Sequence, residues 1–149
     1  MSDLSSSLAV SDETDLRTSA ALWKNSSLSV TLDRTFLIDA LIDAYEESRN
    51  EEWDGPQSSP TTVDTYITAA EFVQALPSFV SDPNIDVSPQ GRILIEWYSG
   101  PRNVLTISVG RSGELAYSSL RGRKKITGTD LFSGFVPHEI VQELRKIHS

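Results

Sequence analysis

The sequence predicts an α+β fold: an antiparallel β-meander of about four strands packed on two N-terminal helices and one C-terminal helix. The hydrophobic period changes twice along the chain, from helical spacing to alternation and back. The segments concerned are 33–48 and 60–76, then 85–118, then 137–147. The connections between alternating segments are too short for parallel crossovers, so the strands are expected to be antiparallel, with helices covering one sheet face.

The first helix is expected to begin after Asp33, an N-cap candidate. Its apolar residues at helical spacing are Phe36, Leu37, Ala40, Leu41, Ala44 and Tyr45. Ile38 and Ile42 widen this face beyond a single stripe. A face of that width fits two neighbouring elements, or one neighbour and a partner chain, so the pattern leaves a homodimer open.

The two remaining helices carry their own boundary signals. Ser59 followed by Pro60 has the pattern of an N-cap and first helical position. Pro137 suits the first turn of the last helix, whose final turn carries Arg145 and Lys146 near the negative end of the helix dipole. Both segments therefore predict helices that pack on the sheet.

The strands follow from alternation of apolar and polar residues between turn signals. Four are expected, and a weaker fifth strand is predicted over residues 125–127. The four lie around residues 85–87, 93–98, 104–109 and 114–118.

The N-terminal segment differs in composition from the rest of the chain. Residues 1–31 contain nine serines and no sustained hydrophobic period, which predicts a flexible segment preceding a single α+β domain over residues 32–149. The chain has no cysteine, so disulfides and thiolate metal sites are excluded. No apolar run is long enough to span a bilayer and no secretory signal is visible, so a cytoplasmic location is expected.

Few residues are suited to catalysis or metal binding. His138-Glu139 begins like a zinc-protease motif, but Gln142 stands where the second histidine would be, and His148 is expected to fray. No metal site, cofactor or catalytic residue is therefore predicted. The alternative hypothesis is a small enzyme that uses Glu96 in a sheet-edge cleft, where a covered face would turn it into a general base. The competing interpretation pairs Glu96 across the sheet with an arginine such as Arg102 or Arg121.

Charge is unevenly distributed along the chain, whose net charge is −8. Residues 1–90 carry sixteen acids and four bases, whereas residues 91–149 carry five acids and nine bases. The bases Arg121, Arg123, Lys124 and Lys125 form either a patch for an acidic partner or a charged strand edge that blocks pairing. A net-acidic chain without interleaved aromatics makes nucleic acid an unexpected partner, although weak binding through Arg121–Lys125 remains an alternative.

Several motifs resemble those of a group of small, largely uncharacterised bacterial and phage proteins. They are Trp53-Asp54-Gly55, the Pro-initiated helix ending in Leu76-Pro77, the Ile95-Glu96-Trp97-Tyr98 strand, and Gly100-Pro101-Arg102. The resemblance implies the α+β architecture and a bacterial or phage source. It implies no catalytic residue.

Taken together, these features favour a non-enzymatic protein–protein interaction module. An antitoxin, immunity or phage anti-defence accessory protein is the kind of role expected. The candidate contact residues are those that dominate interfaces, together with the basic group. They are Trp53, Trp97, Tyr98, Tyr117, Arg121, Arg123, Lys124 and Lys125.

Overall fold

The computed structural model describes residues 34–49 and 59–149, and the chain forms the predicted α+β arrangement. Three helices and five strands follow one another in the order helix, helix, meander, helix. The helices are α1 (Thr35–Ser48), α2 (Val63–Gln74) and α3 (His138–Ile147). The strands are β1 (Asn84–Val87), β2 (Ile93–Tyr98), β3 (Asn103–Val109), β4 (Glu114–Arg121) and β5 (Lys124–Leu131).

The sheet has five antiparallel strands rather than about four, in the spatial order β1-β2-β3-β4-β5. The weak signal over residues 125–127 is part of the full eight-residue strand β5. A two-residue turn joins β4 to β5, and Gly122 adopts a φ of +63° in its first position. Glycine tolerates this conformation, which matches the twist of paired strands. The turn therefore allows β4 and β5 to pair along their whole length.

One face of the sheet forms the core with the helices. Alternate residues of β2, β3 and β4 point into it, and the two central strands contribute fully buried side chains. The buried sheet residues are Val87, Ile93, Ile95, Trp97, Leu105, Ile107, Val109, Leu115 and Ser119. The opposing helical residues include Leu41, Phe72, Ile140 and Leu144. The wide apolar face of α1 is thus buried within the chain, where Leu37, Ile38, Leu41 and Ile42 join the same core.

The start of α2 differs from the prediction. The helix begins at Val63, and Thr62 is its N-cap, with a side-chain oxygen that accepts a hydrogen bond from the Thr65 amide at 3.1 Å. Ser59 lies outside the helix, and its amide donates to the Pro89 carbonyl at 2.6 Å. The predicted N-cap was therefore wrong by three residues, because the Thr62 hydroxyl and not that of Ser59 caps the helix.

The side chain of Arg34 links the first two helices. Although it is buried, it donates to three backbone carbonyls at and beyond the end of α2, those of Val73, Pro77 and Val80. The Val73 carbonyl also accepts from the Leu76 amide and the Pro77 carbonyl from the Val80 amide, so the guanidinium adds a charged donor that suits the negative end of the helix dipole. No pattern in the sequence indicates this contact, which joins residues about forty positions apart.

Some predictions fall on residues outside the described ranges. These are the flexible segment over residues 1–31, the N-cap at Asp33, and the loop that contains Trp53. They stay predictions.

Candidate interaction surface

The second face of the sheet carries no helix from the described part of the chain. Its residues are exposed or half-buried, in contrast to the fully buried residues of the core face. Cross-strand pairing places Glu96, Thr106, Ser118 and Thr127 in one row. The next row contains Leu94, Ser108, Ala116 and Thr129. We call this surface the open face.

Small side chains make the centre of the open face shallow. Threonine, serine and alanine at neighbouring positions of β3, β4 and β5 leave a depression of about 430 Å³. Larger side chains stand at its two ends. Tyr98 is 60% exposed at one end and Leu131 is 64% exposed at the other. A surface of this shape can receive a protruding group, but it does not enclose a small molecule.

The bases singled out in the sequence lie together at the end of the sheet next to Tyr98. Arg121, Arg123, Lys124 and Lys125 are all exposed on or beside the β4–β5 turn. The β2–β3 turn, which carries Arg102, lies beside it, since the Gly122 amide donates to the Arg102 carbonyl at 2.7 Å. We call these five bases the basic end.

Arg102 is the member of the basic end that the sequence analysis did not assign to it. In a meander, every second turn lies at the same end of the sheet, so the β2–β3 and β4–β5 turns had to be neighbours. The predicted order of the strands was therefore sufficient to place Arg102 beside the β4–β5 turn. Arg102 also does not pair with Glu96, as one interpretation had expected, because its guanidinium faces the Gly122 carbonyl at 3.5 Å.

Cross-strand rows connect the basic end to the open face. Tyr98, Val104, Leu120 and Lys125 form one row on that face. The aromatic ring and an exposed ammonium group thus lie on the same side of the sheet. Arg121 alternates to the opposite side, where it faces α3.

A buried carboxylate lies beneath the basic end on the helix side. Glu143 of α3 is 5% exposed, and its Oε2 accepts from Lys146 Nζ at 3.0 Å. Burial acts to raise the pKa of Glu143, but the Ser119 hydroxyl, Lys146 and Arg121 outweigh it and hold the pKa below its usual value. Its Oε1 is enclosed without a hydrogen bond of good geometry in the described ranges, although the Ser119 hydroxyl lies against the carboxylate.

Glu96 lies on the open face rather than in a covered site. It is half-buried, and Thr106 donates its hydroxyl to Glu96 Oε2 at 3.1 Å. The residues opposite Glu96 in the sheet are Asn84 on β1 and Thr106 on β3, and neither is an acid or a base.

His148 is ordered by contacts and does not fray as expected. Its Nδ1 lies 2.7 Å from the Leu144 carbonyl, and its Nε2 accepts from the Ser81 amide at 2.9 Å. The Ser81 hydroxyl is also 2.9 Å from Nε2, and Trp97 Nε1 donates to the Ser81 carbonyl at 2.8 Å. The sequence could not reveal this contact, because Ser81 and His148 are 67 positions apart.

A cleft of about 240 Å³ lies beside this group, with Glu96 and Tyr98 on its other side. Ser81 and His148 both line this cleft, and a histidine beside a serine can activate the hydroxyl as a nucleophile. The lone pair of His148 Nε2 is already engaged by the Ser81 amide, so the imidazole is not free to accept the hydroxyl proton. The Ser81 amide is occupied by this hydrogen bond as well, so it cannot stabilise an oxyanion. The arrangement therefore holds the chain terminus against the sheet.

Two of the four aromatic candidates are buried or half-buried rather than exposed. Trp97 is 4% exposed and lies in the core. Tyr117 is half-buried on the helix side, and its ring fills the space beside Gly128, where an added Cβ would meet the phenol oxygen at 2.5 Å. The exposure on which both candidates depended is not found, and Tyr98 alone of the described aromatic candidates offers a free ring.

Within residues 34–49 and 59–149, no group of three or more histidine, aspartate or glutamate side chains could hold a metal ion. In the same ranges, no helix has the length and apolar character needed to cross a membrane. Comparison with protein-family models, with curated proteins and with solved structures finds no match.

Proposed function

We propose that this chain is a non-enzymatic protein-interaction module that binds an acidic surface of a partner protein. The contact surface is the open face together with the basic end. The observation that carries this proposal is that Tyr98 and Lys125, both exposed, share a cross-strand row on a sheet face that no described helix covers, at the end of the sheet where Arg102, Arg121, Arg123 and Lys124 also lie. An exposed aromatic ring beside arginines is a frequent composition of interface hot spots.

The charge distribution supports an acidic partner. The chain as a whole carries −8, yet the basic end collects Arg102, Arg121, Arg123, Lys124 and Lys125. The carboxylate of Glu143, which lies beneath them on the helix side, is already paired with Lys146. Arg121 contributes to the attraction on that carboxylate, whereas Lys125 lies on the open face, where its charge would accelerate association with an acidic protein surface.

A protein fits this surface better than a nucleic acid does. Stacking platforms for single strands present several aromatic rings, whereas the open face has Tyr98 alone among the described residues. Glu96 and Asp86 lie on the β2 and β1 side of the same face and would repel a phosphate backbone that crossed it. Binding of nucleic acid by Arg121–Lys125 is the alternative that the experiment below separates.

An antitoxin, immunity or phage anti-defence accessory is the biological role that we propose for such a module. Its support is the resemblance of the Trp53-Asp54-Gly55 and Ile95–Arg102 motifs to small bacterial and phage proteins. The enzyme alternative that uses Glu96 has less support, because the carboxylate is bonded to Thr106 and has no catalytic partner across the sheet.

The experiment uses a nuclease-treated bacterial extract and the immobilised full chain as wild type and four variants. Tyr98→Ser and Lys125→Ser alter the proposed surface. Leu131→Ser and Arg111→Ser are matched controls, because Leu131 is equally exposed at the far end of the open face and Arg111 is an exposed base at the opposite end of the sheet. Bound proteins are identified by mass spectrometry and then measured individually.

We expect one acidic protein that is retained by the wild type and both controls and lost with Tyr98→Ser and Lys125→Ser. Its affinity should fall as salt is raised. Equal retention by the wild type and all variants would refute the proposed surface. Binding of a single-stranded oligonucleotide with the same dependence on Lys125 would favour the nucleic-acid alternative instead.

A further inference from the structure

The edge of the sheet formed by β5 is long and unpaired. β5 spans eight residues and pairs with β4 on one side, and no described strand lies on its other side. The opposite edge differs, since β1 has four residues and packs against α1. An exposed edge of this length is a template for pairing with another strand, except where charges oppose it, and Lys124 and Lys125 at its first two positions limit pairing to partners that can accommodate them.

The turn between β4 and β5 determines which backbone groups face outward. In a hairpin with a two-residue loop, the flanking residues Arg121 and Lys124 form a hydrogen-bonded pair. Every second residue of β5 from Lys124 onward therefore bonds to β4. The amides and carbonyls between them point to the free edge, namely those of Lys125, Thr127, Thr129 and Leu131.

Two hydrogen bonds beyond this ladder confirm the assignment. The Phe132 amide, one step past the strand, donates to the Gly113 carbonyl at 2.8 Å, as the alternation requires. The Leu131 amide, by contrast, donates to the carboxylate of Asp130 at 2.8 Å. An edge amide satisfied by its neighbour's side chain is one that no strand has taken.

These outward groups restrict how a second copy could pair. Antiparallel pairing of β5 with itself must match outward residues with outward residues, because the intervening groups are already bonded to β4. Opposed residues share a sheet face. The two copies would therefore form one continuous sheet with their helices on the same side, related by a two-fold axis perpendicular to the sheet.

One register matches the side chains as well. With Thr127 on the axis, Lys124 lies opposite Asp130 of the partner subunit, and Ile126 lies opposite the partner's Gly128. Symmetry produces each of these pairs twice. A shift by one hydrogen-bonded step either places Ile126 opposite the partner's Asp130 or removes the charge pair. Opposite charges across strands stabilise pairing, and charges opposite apolar residues do not.

We propose that two copies of this chain associate through β5 in the register centred on Thr127. The charge complementarity of Lys124 with Asp130 across the axis commits the edge to a second copy. The association closes at two copies, because the interface is isologous and the other edge of the sheet is short. The dimer uses Lys124 of the basic end, but it leaves Tyr98 and Lys125 on the open face, so the inference does not depend on the proposed acidic partner.

Paired charge reversals test the proposal directly. Within one copy, Lys124 and Asp130 are six strand residues, or roughly 20 Å, apart, so they do not form an ion pair with each other. Lys124→Asp places two aspartates opposite each other at both ends of the interface, and Asp130→Lys does the same with lysines. Each variant alone should associate at least about ten-fold more weakly than the wild type.

Mixing the two variants restores both charge pairs, since the introduced aspartate of one chain then faces the introduced lysine of the other. Sedimentation equilibrium should show a wild-type dimer, two weakened single variants and a recovered dimer in the mixture. A wild type that is monomeric at 0.1 mM, or a mixture no tighter than the separate variants, would overturn the proposal.

Thr127→Pro supplies a second measurement that does not depend on charge. The Thr127 amide faces the free edge, so proline there removes a bond of the proposed interface and leaves the bonds to β4 intact. We expect a folded monomer, with the fold checked by near-ultraviolet circular dichroism. A folded Thr127→Pro chain that still forms the dimer would also overturn the proposal.

Discussion

The buried carboxylate beneath the basic end provides a quantitative test of how α3 is held on the sheet. Glu143→Gln preserves the size of the side chain and removes its charge. In the wild type the carboxylate accepts from Lys146 and lies against the Ser119 hydroxyl, with the Arg121 charge close by. The glutamine keeps neutral hydrogen bonding but loses the attraction to both cations.

The expected loss of stability follows from the strength of charged hydrogen bonds and from the exposure of Lys146. A charged hydrogen bond contributes about 1.5–3 kcal/mol and a neutral one about 0.5–1.5 kcal/mol. The Lys146 side chain is 43% exposed, so solvent screens its attraction and the lower part of the range applies. We therefore expect Glu143→Gln to lower the free energy of unfolding by about 1 kcal/mol near pH 7.

The destabilisation caused by Glu143→Gln should become smaller as the pH falls. The pKa of Glu143 is lowered in the folded chain, so the folded state binds its proton less readily than the unfolded state does. The stabilisation is complete above the ordinary glutamate range and disappears as pH falls through the folded-state pKa. Wild type and variant should thus converge in stability as the pH falls below the folded-state pKa of Glu143.

Urea unfolding followed by tryptophan fluorescence, at several pH values, measures both effects. Glu139→Gln is the matched control, because Glu139 is an exposed carboxylate on the same helix, and its effect should stay within about 0.5 kcal/mol. A Glu143→Gln cost that stays constant from neutral to acid pH would show that the charge is not its source and would refute the reasoning.

Three further substitutions test contacts that the fold depends on. Arg34→Met should lower the free energy of unfolding by about 1.5–3 kcal/mol in urea titrations, because the charged hydrogen bonds from a buried guanidinium to three carbonyls are lost. Gly128→Ala should cost about 1–3 kcal/mol in the same assay, since its Cβ would displace the Tyr117 ring, and unchanged stability would contradict the contact. His148→Ala should accelerate hydrogen exchange at the Ser81 amide, which loses its acceptor, and an unaltered exchange rate would show that the contact does not form in solution.

The order and type of the elements were predictable because hydrophobic period is a local property. Alternation through β2 and β3 matches buried and half-buried positions residue by residue. β5 was underestimated for the same reason. Its edge position leaves most of its residues exposed, as in Lys124, Thr127 and Thr129, so burial imposes little alternation on its sequence.

The features that sequence analysis missed depend on contacts between distant residues. The N-cap is Thr62 rather than Ser59, and the segment that holds Ser59 contacts Pro89 instead of joining the helix. His148 has no local partner beyond its own helix, and its order comes from Ser81. Trp97 was a candidate contact residue because tryptophan dominates interfaces, but the alternation of its strand does not reveal which of the two sheet faces the helices cover.

Solvent exposure explains the polar centre of the open face, but it does not explain the residues at one of its ends. Threonine and serine favour strands and tolerate water, so their presence at the centre of an uncovered face needs no partner to account for it. The same reasoning does not extend to Tyr98, whose ring gains nothing from solvent, or to five bases gathered at adjoining turns of an acidic chain. Solubility would be served equally by carboxylates at those turns. The case for an acidic protein partner therefore depends on the basic end and Tyr98, and the polar centre contributes shape without specifying a ligand.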